Sequence, residues 1–438
     1  MMEKSLDRKL AALHADPNAR EFILADAKDA DMAFGIGAPG RSPEAHPGEV
    51  RFKTLAEYRD QIRAITRQGL VDIMLMSAST SHALTIRERI FDGSHVTPAI
   101  RANDTTDVHI ARGSRYVEHP SHPFRSASLD HAMCGHLDCA PEERHLGANL
   151  GLYSVTFNND FEHDLRTLEA FRAFREEAER KGFRYFLEVF DPNVPGAVAP
   201  DLLGPYTNDM IARMLAGVGP SGRPVFLKIV YHGPKAMEEL FRYDPSLVVG
   251  ILGGSAGTTL DAFQLLADAQ EHGAKVALYG RKINSAENQL AFVQFLRLIV
   301  DGVIGPVDAV KAYHAVLGRL GIRPHRPLED DLKLQAMAMS YGGTSTSVTV
   351  PAMPSPSANG SHGCGCHANG TPAAPVAKAP ACACHDVPKA SAPVVTVSTS
   401  TRPSTNGFPT LGNGHPDFAR MDVGQRLAYH RERLGLGR

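Results

Sequence analysis

Residues 184–190 read RYFLEVF, and residues 224–231 read PVFLKIVY. In both stretches apolar, aromatic and β-branched residues occupy the two faces of a potential strand, around a central Glu188 or Lys228. Strands that are apolar on both faces are typical of parallel sheets covered by helices. The two stretches therefore predict buried parallel strands, each with one ionisable group inside the protein.

Six further apolar runs extend this pattern between about residues 20 and 325. Amphipathic segments with apolar residues at spacings of three and four separate them, which predicts helices. Eight such repeats favour a closed (β/α)₈ TIM barrel over an open doubly wound sheet, and no Gly-x-Gly-x-x-Gly opens a helix after the first strand. The predicted strands are 22–25, 71–76, 98–102, 150–156, 185–190, 225–230, 247–252 and 276–279.

The composition changes sharply near Tyr341, where residues 342–412 become rich in Pro, Ala, Ser, Thr and Gly. Such a segment cannot bury enough apolar area to offset its chain entropy. We therefore expect a barrel over residues 1–341, a disordered linker containing Cys and His over residues 342–412, and an amphipathic docking helix over residues 413–438.

Charge and hydropathy exclude several classes of protein. The formal net charge of −2 gives no global field that would favour nucleic acid. No apolar run reaches the roughly 18–20 residues that a membrane span needs, and the N-terminus lacks a signal peptide. The six cysteines are not spread as a disulfide framework, so reduced thiols and a cytoplasmic location are expected.

Lys228 is the first candidate catalytic residue, because it would face the barrel lumen together with Phe226 and Val230. A buried ammonium is costly unless it is paired. A lysine there is therefore either a structural partner of a carboxylate or an amine that can become uncharged and attack a carbonyl. Glu188, on the preceding strand, would meet it across about 4.8 Å, either to transfer protons or to neutralise it.

Asp26 ends the first predicted strand, with Asp29 close behind it. A carboxylate at the C-terminal end of a barrel strand is catalytic more often than stabilising, although either aspartate could cap the following turn. We favour Asp26. Arg101 and Asn103 end the third strand and are candidates for binding a substrate phosphate or hydroxyl.

Two glycine loops follow the last two strands, which is where barrels commonly bind phosphate on backbone N–H groups. Glycine also serves any tight turn, but two such loops at the expected positions are a stronger signal than one. Candidate substrate-binding and phosphate-binding residues are Gly253, Gly254, Ser255, Gly280 and Arg281.

These features resemble the class I, Schiff-base aldolases of the archaeal fructose-bisphosphate and tagatose-bisphosphate type. The resemblance covers roughly residues 22–283. Its most specific pieces are Phe-Leu-Glu188-Val, Leu-Lys228-Ile-Val-Tyr, Gly253-Gly254-Ser255 and Gly280-Arg281.

The resemblance implies a lyase that cleaves or forms a carbon–carbon bond in a phosphorylated sugar or a related ketose. Lys228 would form the Schiff base, Asp26 would be the aspartate of strand one, and Glu188 or Tyr153 would transfer protons. The family usually has a lysine or tyrosine later in strand four than Tyr153. This departure leaves two alternatives: a non-catalytic phosphosugar-binding or scaffold barrel, and a Schiff-base transferase or transaldolase.

The connection over residues 104–148 is long and predicts an insertion at the active site. It carries five residues of the types that bind zinc, although the loose Cys-x₄-Cys spacing favours a polar loop near the active site. These residues are His131, Cys134, His136, Cys139 and His145. We expect no cofactor and assign no metal ligand firmly.

The tail repeats a Cys-x-Cys-His motif that could capture soft metal ions weakly. Its residues are Cys364, Cys366, His367, Cys382, Cys384 and His385. The last segment resembles the tethered targeting helices of enzymes packaged in bacterial microcompartments, and the alternative is a helix folded back on the barrel. We expect the protein to bind a phosphorylated substrate and to self-associate into a homo-oligomer. We also expect its last segment to dock to a protein shell or another partner.

Overall fold

The computed structural model describes residues 2–40, 52–108, 113–254 and 257–335, together with Pro409, Arg420, Met421 and Gln425. The chain divides into two compact units, Met1–Ala358 and Asn359–Arg438. The predicted linker and docking helix lie outside the described residues, apart from those four. The three-part division therefore stays a prediction. No helix in the described ranges combines the length and the apolar character that a bilayer span requires.

Eight parallel strands close into a barrel in which β1 pairs with both β2 and β8. The predicted (β/α)₈ fold is confirmed, and the predicted strand bounds differ by no more than three residues. The largest difference is in β1, which continues to Lys28. The strands are β1 (Ile23–Lys28), β2 (Ile73–Met76), β3 (Thr97–Arg101), β4 (Leu150–Thr156), β5 (Arg184–Phe190), β6 (Leu227–Ile229), β7 (Val249–Leu252) and β8 (Val276–Tyr279).

Helices follow the strands and cover the barrel. They are α1 (Ser5–Ala15), α2 (Ala30–Phe34), α3 (Leu55–Gln68), α4 (Ala78–Ser81) continued by a π-helical turn (His82–Arg87), α5 (Leu129–Met133), α6 (Phe161–Lys181), α7 (Leu203–Leu215), α8 (Pro234–Tyr243), α9 (Thr259–Glu271), α10 (Arg281–Asn284), α11 (Gln289–Val300), α12 (Pro306–Arg319) and α13 (Leu328–Asp331).

Local sequence signals set the helix ends. Thr54 and Glu57 form a capping box at the start of α3. Gly182 ends α6 in the left-handed conformation, with φ of 65°, which costs glycine little. The apolar stripe of α3 then buries Tyr58 and Ile62 against the outside of the barrel.

The barrel wall separates two apolar clusters. The inner cluster fills the lumen and includes Ala25 and Ala27 of β1, whereas Leu24 belongs to the outer cluster between strands and helices. Leu6, Leu10 and Leu13 of α1 join the inner cluster and close the N-terminal end of the lumen. Because side chains alternate along a strand, this division decides which polar residues face the lumen.

The insertion between β3 and β4 contains some regular structure. Asp104–Thr105 pairs antiparallel with Pro123–Phe124, and α5 follows. The Thr156 hydroxyl, at the end of β4, donates to the Asp107 carboxylate at 3.2 Å. The insertion is thereby attached to the C-terminal end of the barrel.

Candidate active site

A cleft opens at the C-terminal ends of the strands and, counted with its open mouth, encloses about 580 Å³. Its charged lining residues come from four different strands or their following loops and from the start of α10. They are Asp29, Arg101, Glu188, Lys228 and Arg281.

Lys228 and Glu188 lie side by side in this cleft. They are register partners on β6 and β5, and Lys228 Nζ is 2.6 Å from Glu188 Oε1. Both are buried and share the lumen-facing parity of Phe226 and Phe186, whose rings stack at 4.5 Å below them. The structure thus brings together the two residues that the sequence paired.

Ser154 completes a row of three polar groups across β4, β5 and β6. Its hydroxyl donates to Glu188 Oε2 at 2.6 Å, so each oxygen of this carboxylate has a partner. A carboxylate held on both sides has little freedom to rotate. Its geometry relative to the Lys228 amine is therefore fixed.

Arg101 joins two aspartates at the end of β3. Its Nη1 is 2.8 Å from Asp29 Oδ2, and its Nε is 2.7 Å from Asp104 Oδ1. Burial alone would lower the pKa of the guanidinium, but the charges of Asp104 and Asp29 outweigh burial and raise it above its ordinary value. Arg101 Nη2 is buried and has no partner among the described residues.

The expected placement of Asp26 is wrong. Because β1 continues to Lys28, Asp26 lies within the strand, in register with Tyr279 and Met74 of the outer cluster. It is fully buried and its Oδ2 is 2.9 Å from Lys28 Nζ. Burial raises the pKa of Asp26 and lowers that of Lys28. The carboxylate that follows β1 and lines the cleft is Asp29.

Tyr153 does not reach the cleft either. It faces the helical layer, where its ring stacks on Phe174 of α6 at 4.2 Å and lies 5.6 Å from Phe171. Alternation along β4 places the next residue, Ser154, in the lumen instead. The predicted proton-transfer role of Tyr153 is therefore incompatible with its position.

Asn103 is buried behind the cleft rather than exposed to a ligand. Its Oδ1 accepts from the Ser154 N–H at 2.7 Å, and its Nδ2 donates to the Ser154 carbonyl at 2.8 Å. Both ends of the amide are therefore used to align β3 with β4. Asn103 positions Ser154 and is not a phosphate ligand.

The two glycine loops line the cleft at the ends of β7 and β8, and β8 is the neighbour of β1. A side chain at Gly253 would meet the Tyr279 ring at 2.2 Å, and one at Gly280 would meet the Ala27 carbonyl at 2.9 Å. Packing therefore requires glycine at both positions. The Gly253 N–H is already bonded to the Leu278 carbonyl at 2.7 Å. Gly254, Gly280 and Arg281 line the cleft, and Ser255 lies outside the described residues.

Comparison with known proteins gives similarity in structure alone. The sequence matches no protein-family model and no curated protein. A fructose-bisphosphate aldolase from Slackia heliotrinireducens superposes with a TM-score of 0.50 at 14% identity, over 73% of this chain and 93% of its own. The chain shares its barrel fold. An archaeal fructose-1,6-bisphosphate aldolase, with its catalytic lysine bound to the carbinolamine intermediate of the substrate, gives 0.47 at 18% identity, over 68% and 99%.

The sequence-based predictions omitted two residues of the site, Ser154 beside Glu188 and Val108 in the cleft lining. Ser154 has the same parity as Leu150 and Leu152, so counting along β4 would have placed it in the lumen. Val108 comes from the insertion, and its place in the cleft depends on how that segment folds back. No spacing in the sequence indicates it.

Proposed function

We propose that this chain is a Schiff-base-forming class I aldolase, which cleaves or forms a carbon–carbon bond in a phosphorylated sugar or a related ketose. The observation that carries the proposal is the Lys228–Glu188 pair, 2.6 Å apart at the base of an open cleft. An amine beside a carboxylate, in a site that a small molecule can reach, supports nucleophilic attack on a carbonyl.

In the first step Glu188 takes a proton from the Lys228 ammonium, and the neutral amine attacks the ketose carbonyl. The resulting carbinolamine loses its hydroxyl as water after Glu188 returns the proton. The product is an iminium ion that can accept electrons from the adjacent carbon. Ser154, bound to the other oxygen of Glu188, keeps the carboxylate aligned through both transfers.

Cleavage then requires a base for the substrate hydroxyl next to the breaking bond. We assign this role to Asp29, which lines the cleft and is held by Arg101 at 2.8 Å. Removal of the hydroxyl proton releases an aldehyde and leaves an enamine on Lys228. Protonation of the enamine carbon followed by addition of water frees the second product and the lysine.

The loops that follow β7 and β8 form the proposed phosphate site. Arg281 supplies a cation there, and Gly254 and Gly280 permit close approach to the backbone. Arg101 is a less suitable phosphate ligand, because two carboxylates already balance its charge. The name of the Slackia neighbour, a fructose-bisphosphate aldolase, is consistent with such a substrate.

Borohydride trapping tests the proposal. The protein is incubated with a panel of ketose and aldehyde phosphates, reduced and digested, and the modified peptide is identified by mass spectrometry. We expect a stable adduct on Lys228. Trapping together with transfer of the bound fragment to an added acceptor aldehyde, without release of that fragment as a free product, would indicate the transaldolase alternative. The absence of any adduct across the panel would indicate a non-catalytic barrel.

The role of the tail is a separate part of the proposal. Residues 413–438 dock to a protein partner or shell through their amphipathic stripe, so deleting residues 418–438 leaves cleavage intact and abolishes co-localisation. Unchanged partitioning of the shortened protein would contradict docking.

A further inference from the structure

The insertion between β3 and β4 brings together a group of side chains that the proposed reaction does not use. Cys134, at the end of α5, and Cys139 are both buried, and Glu143 follows in a short turn. The two sulfur atoms and one carboxylate oxygen all lie within 4.8 Å of one another. None of the three lines the catalytic cleft.

The two thiols are arranged as converging ligands. Each points its S–H toward a backbone carbonyl, Cys134 toward His136 at 3.5 Å and Cys139 toward Ala140 at 3.8 Å, and these are long, weak contacts. Both thiols are therefore held only weakly by these contacts, and a divalent cation that they share would displace both protons.

His136 lies next to Glu143, outside the three atoms that converge within 4.8 Å, and could supply a fourth donor from that side. Its Nδ1 is 2.8 Å from the Leu137 carbonyl, which accepts the ring N–H, so the lone pair of a neutral ring is on Nε2. That Nε2 lies 3.4 Å from Glu143 Oε1. Two acceptors that face each other need either a proton or a cation between them. A metal ion satisfies both, with the N–H already oriented by a backbone carbonyl as in many metal-bound histidines.

The backbone around these residues is tightly turned and attached to the barrel. Gly135 and Asp138 have positive φ values of 93° and 56°, and the Asp138 N–H is bonded to Asp130 Oδ2 at 3.2 Å. The Gly147 N–H donates to the Met133 carbonyl at 2.7 Å just before β4 begins. A residue other than glycine in the left-handed region costs of order 1 kcal/mol or more, which tertiary bonds must offset.

We propose that Cys134, Cys139 and Glu143, completed by His136, form a structural site for one zinc ion. Two thiolates, a carboxylate and an imidazole provide the four ligands that closed zinc sites use. Binding releases one proton from each thiol to solvent. The ion would fix the insertion at the point where the chain enters β4, the strand that carries Ser154.

Metal content of the full-length protein tests the site. The four tail cysteines are replaced by serine throughout (C364S, C366S, C382S and C384S), so that only the barrel can retain the ion. The reduced protein is loaded with zinc, passed over a weak chelator and analysed by elemental mass spectrometry. A second sample is loaded with cobalt(II), whose spectrum reports bound thiolate. We expect one zinc per chain and a thiolate charge-transfer band.

Variants in the same background locate the ligands. The double variant Cys134→Ser/Cys139→Ser should lose the metal, and Glu143→Gln and His136→Ala should each weaken binding by at least about tenfold. His131→Ala is the matched control and should keep full occupancy, because its ring bonds to Ser128 at 2.9 Å, whereas the ring of His136 faces Glu143. If the double cysteine variant does not fold, Glu143→Gln and His136→Ala decide the question.

Three results would overturn the proposal. One is a metal content in the reference protein no higher than in Cys134→Ser/Cys139→Ser. Another is an unaltered zinc affinity in both Glu143→Gln and His136→Ala. The last is an isolated protein whose mass and resistance to alkylation show a Cys134–Cys139 disulfide instead of free thiols.

Discussion

Two of the buried lysine–carboxylate pairs in the described residues lie on opposite sides of the barrel wall. Lys228 and Glu188 face the lumen and the cleft, whereas Lys28 and Asp26 face the outer layer under the helices. Their N–O distances are similar, 2.6 Å and 2.9 Å. Lys28 is the more completely buried of the two amines, with 0% exposure against 7% for Lys228.

Burial therefore does not distinguish the reactive candidate from the structural one. The difference is that Lys228 borders an open cleft with a hydroxyl, a second carboxylate and two arginines near it, whereas Lys28 is fully buried and is not one of the residues that line this cleft. A buried ion pair is weak evidence for stability or function by itself. Its position relative to the barrel wall decides which role it can have.

Removal of each amine in turn should give the largest difference in activity between the two pairs. Lys228→Met should abolish both cleavage and borohydride trapping, because no other amine in the described residues lines the cleft. The control is Asp26→Leu/Lys28→Met, which removes the outer pair together and should retain trapping. Trapping that survives in Lys228→Met and disappears in the control would reverse the two assignments.

Removing a lumen carboxylate should have the next largest effect. Glu188→Gln preserves the shape of the side chain but cannot accept the lysine proton, so turnover should fall by about 10²–10⁴-fold. Asp29→Asn should cause a fall in the same range if it is the second base. Asp26→Asn should leave turnover of the folded protein near the wild-type value. Steady-state kinetics of the three variants checks the order.

The outer pair should show its effect in stability. Lys28→Met leaves Asp26 buried without a counter-charge, so the free energy of unfolding should fall by about 3–5 kcal/mol. Adding Asp26→Leu should recover most of this loss, since an apolar pair of similar volume replaces the ions. Urea denaturation measures both. A double variant less stable than Lys28→Met would show that the pair itself, rather than the orphaned charge, stabilises the fold.

The smallest effect is expected at Tyr153. Because its ring packs on Phe174 in the helical layer, Tyr153→Phe should keep the stacking and leave kcat and KM unchanged. Ser154→Ala, one residue farther along β4, should lower kcat by freeing one oxygen of Glu188. Equal kinetic effects of the two variants would contradict the assignment of Ser154 to the lumen and of Tyr153 to the helical layer.

The sequence was sufficient to predict the barrel and to pair Lys228 with Glu188, because continuous apolar runs define strands and parity defines their faces. It placed Asp26 wrongly at the end of β1, since nothing in the apolar pattern indicates that the strand continues through Ala27 to Lys28. Tyr153 was also predicted to transfer protons because of its residue type. The alternation of side chains along β4 places Ser154, rather than Tyr153, in the lumen. The convergence of Cys134, Cys139 and Glu143 depends on two positive-φ turns and could not be obtained from spacing.

The N-terminal end of the lumen is closed by Leu6, Leu10 and Leu13 of α1, and this closure has a kinetic consequence. Because this end is closed, the cleft is the route that the described residues offer, and both product fragments must leave through the opening by which the substrate entered. The fragment nearer the cleft opening leaves first, because the other fragment is still covalently bound to Lys228. Release should accordingly be ordered, and the last product to leave should compete directly with incoming substrate.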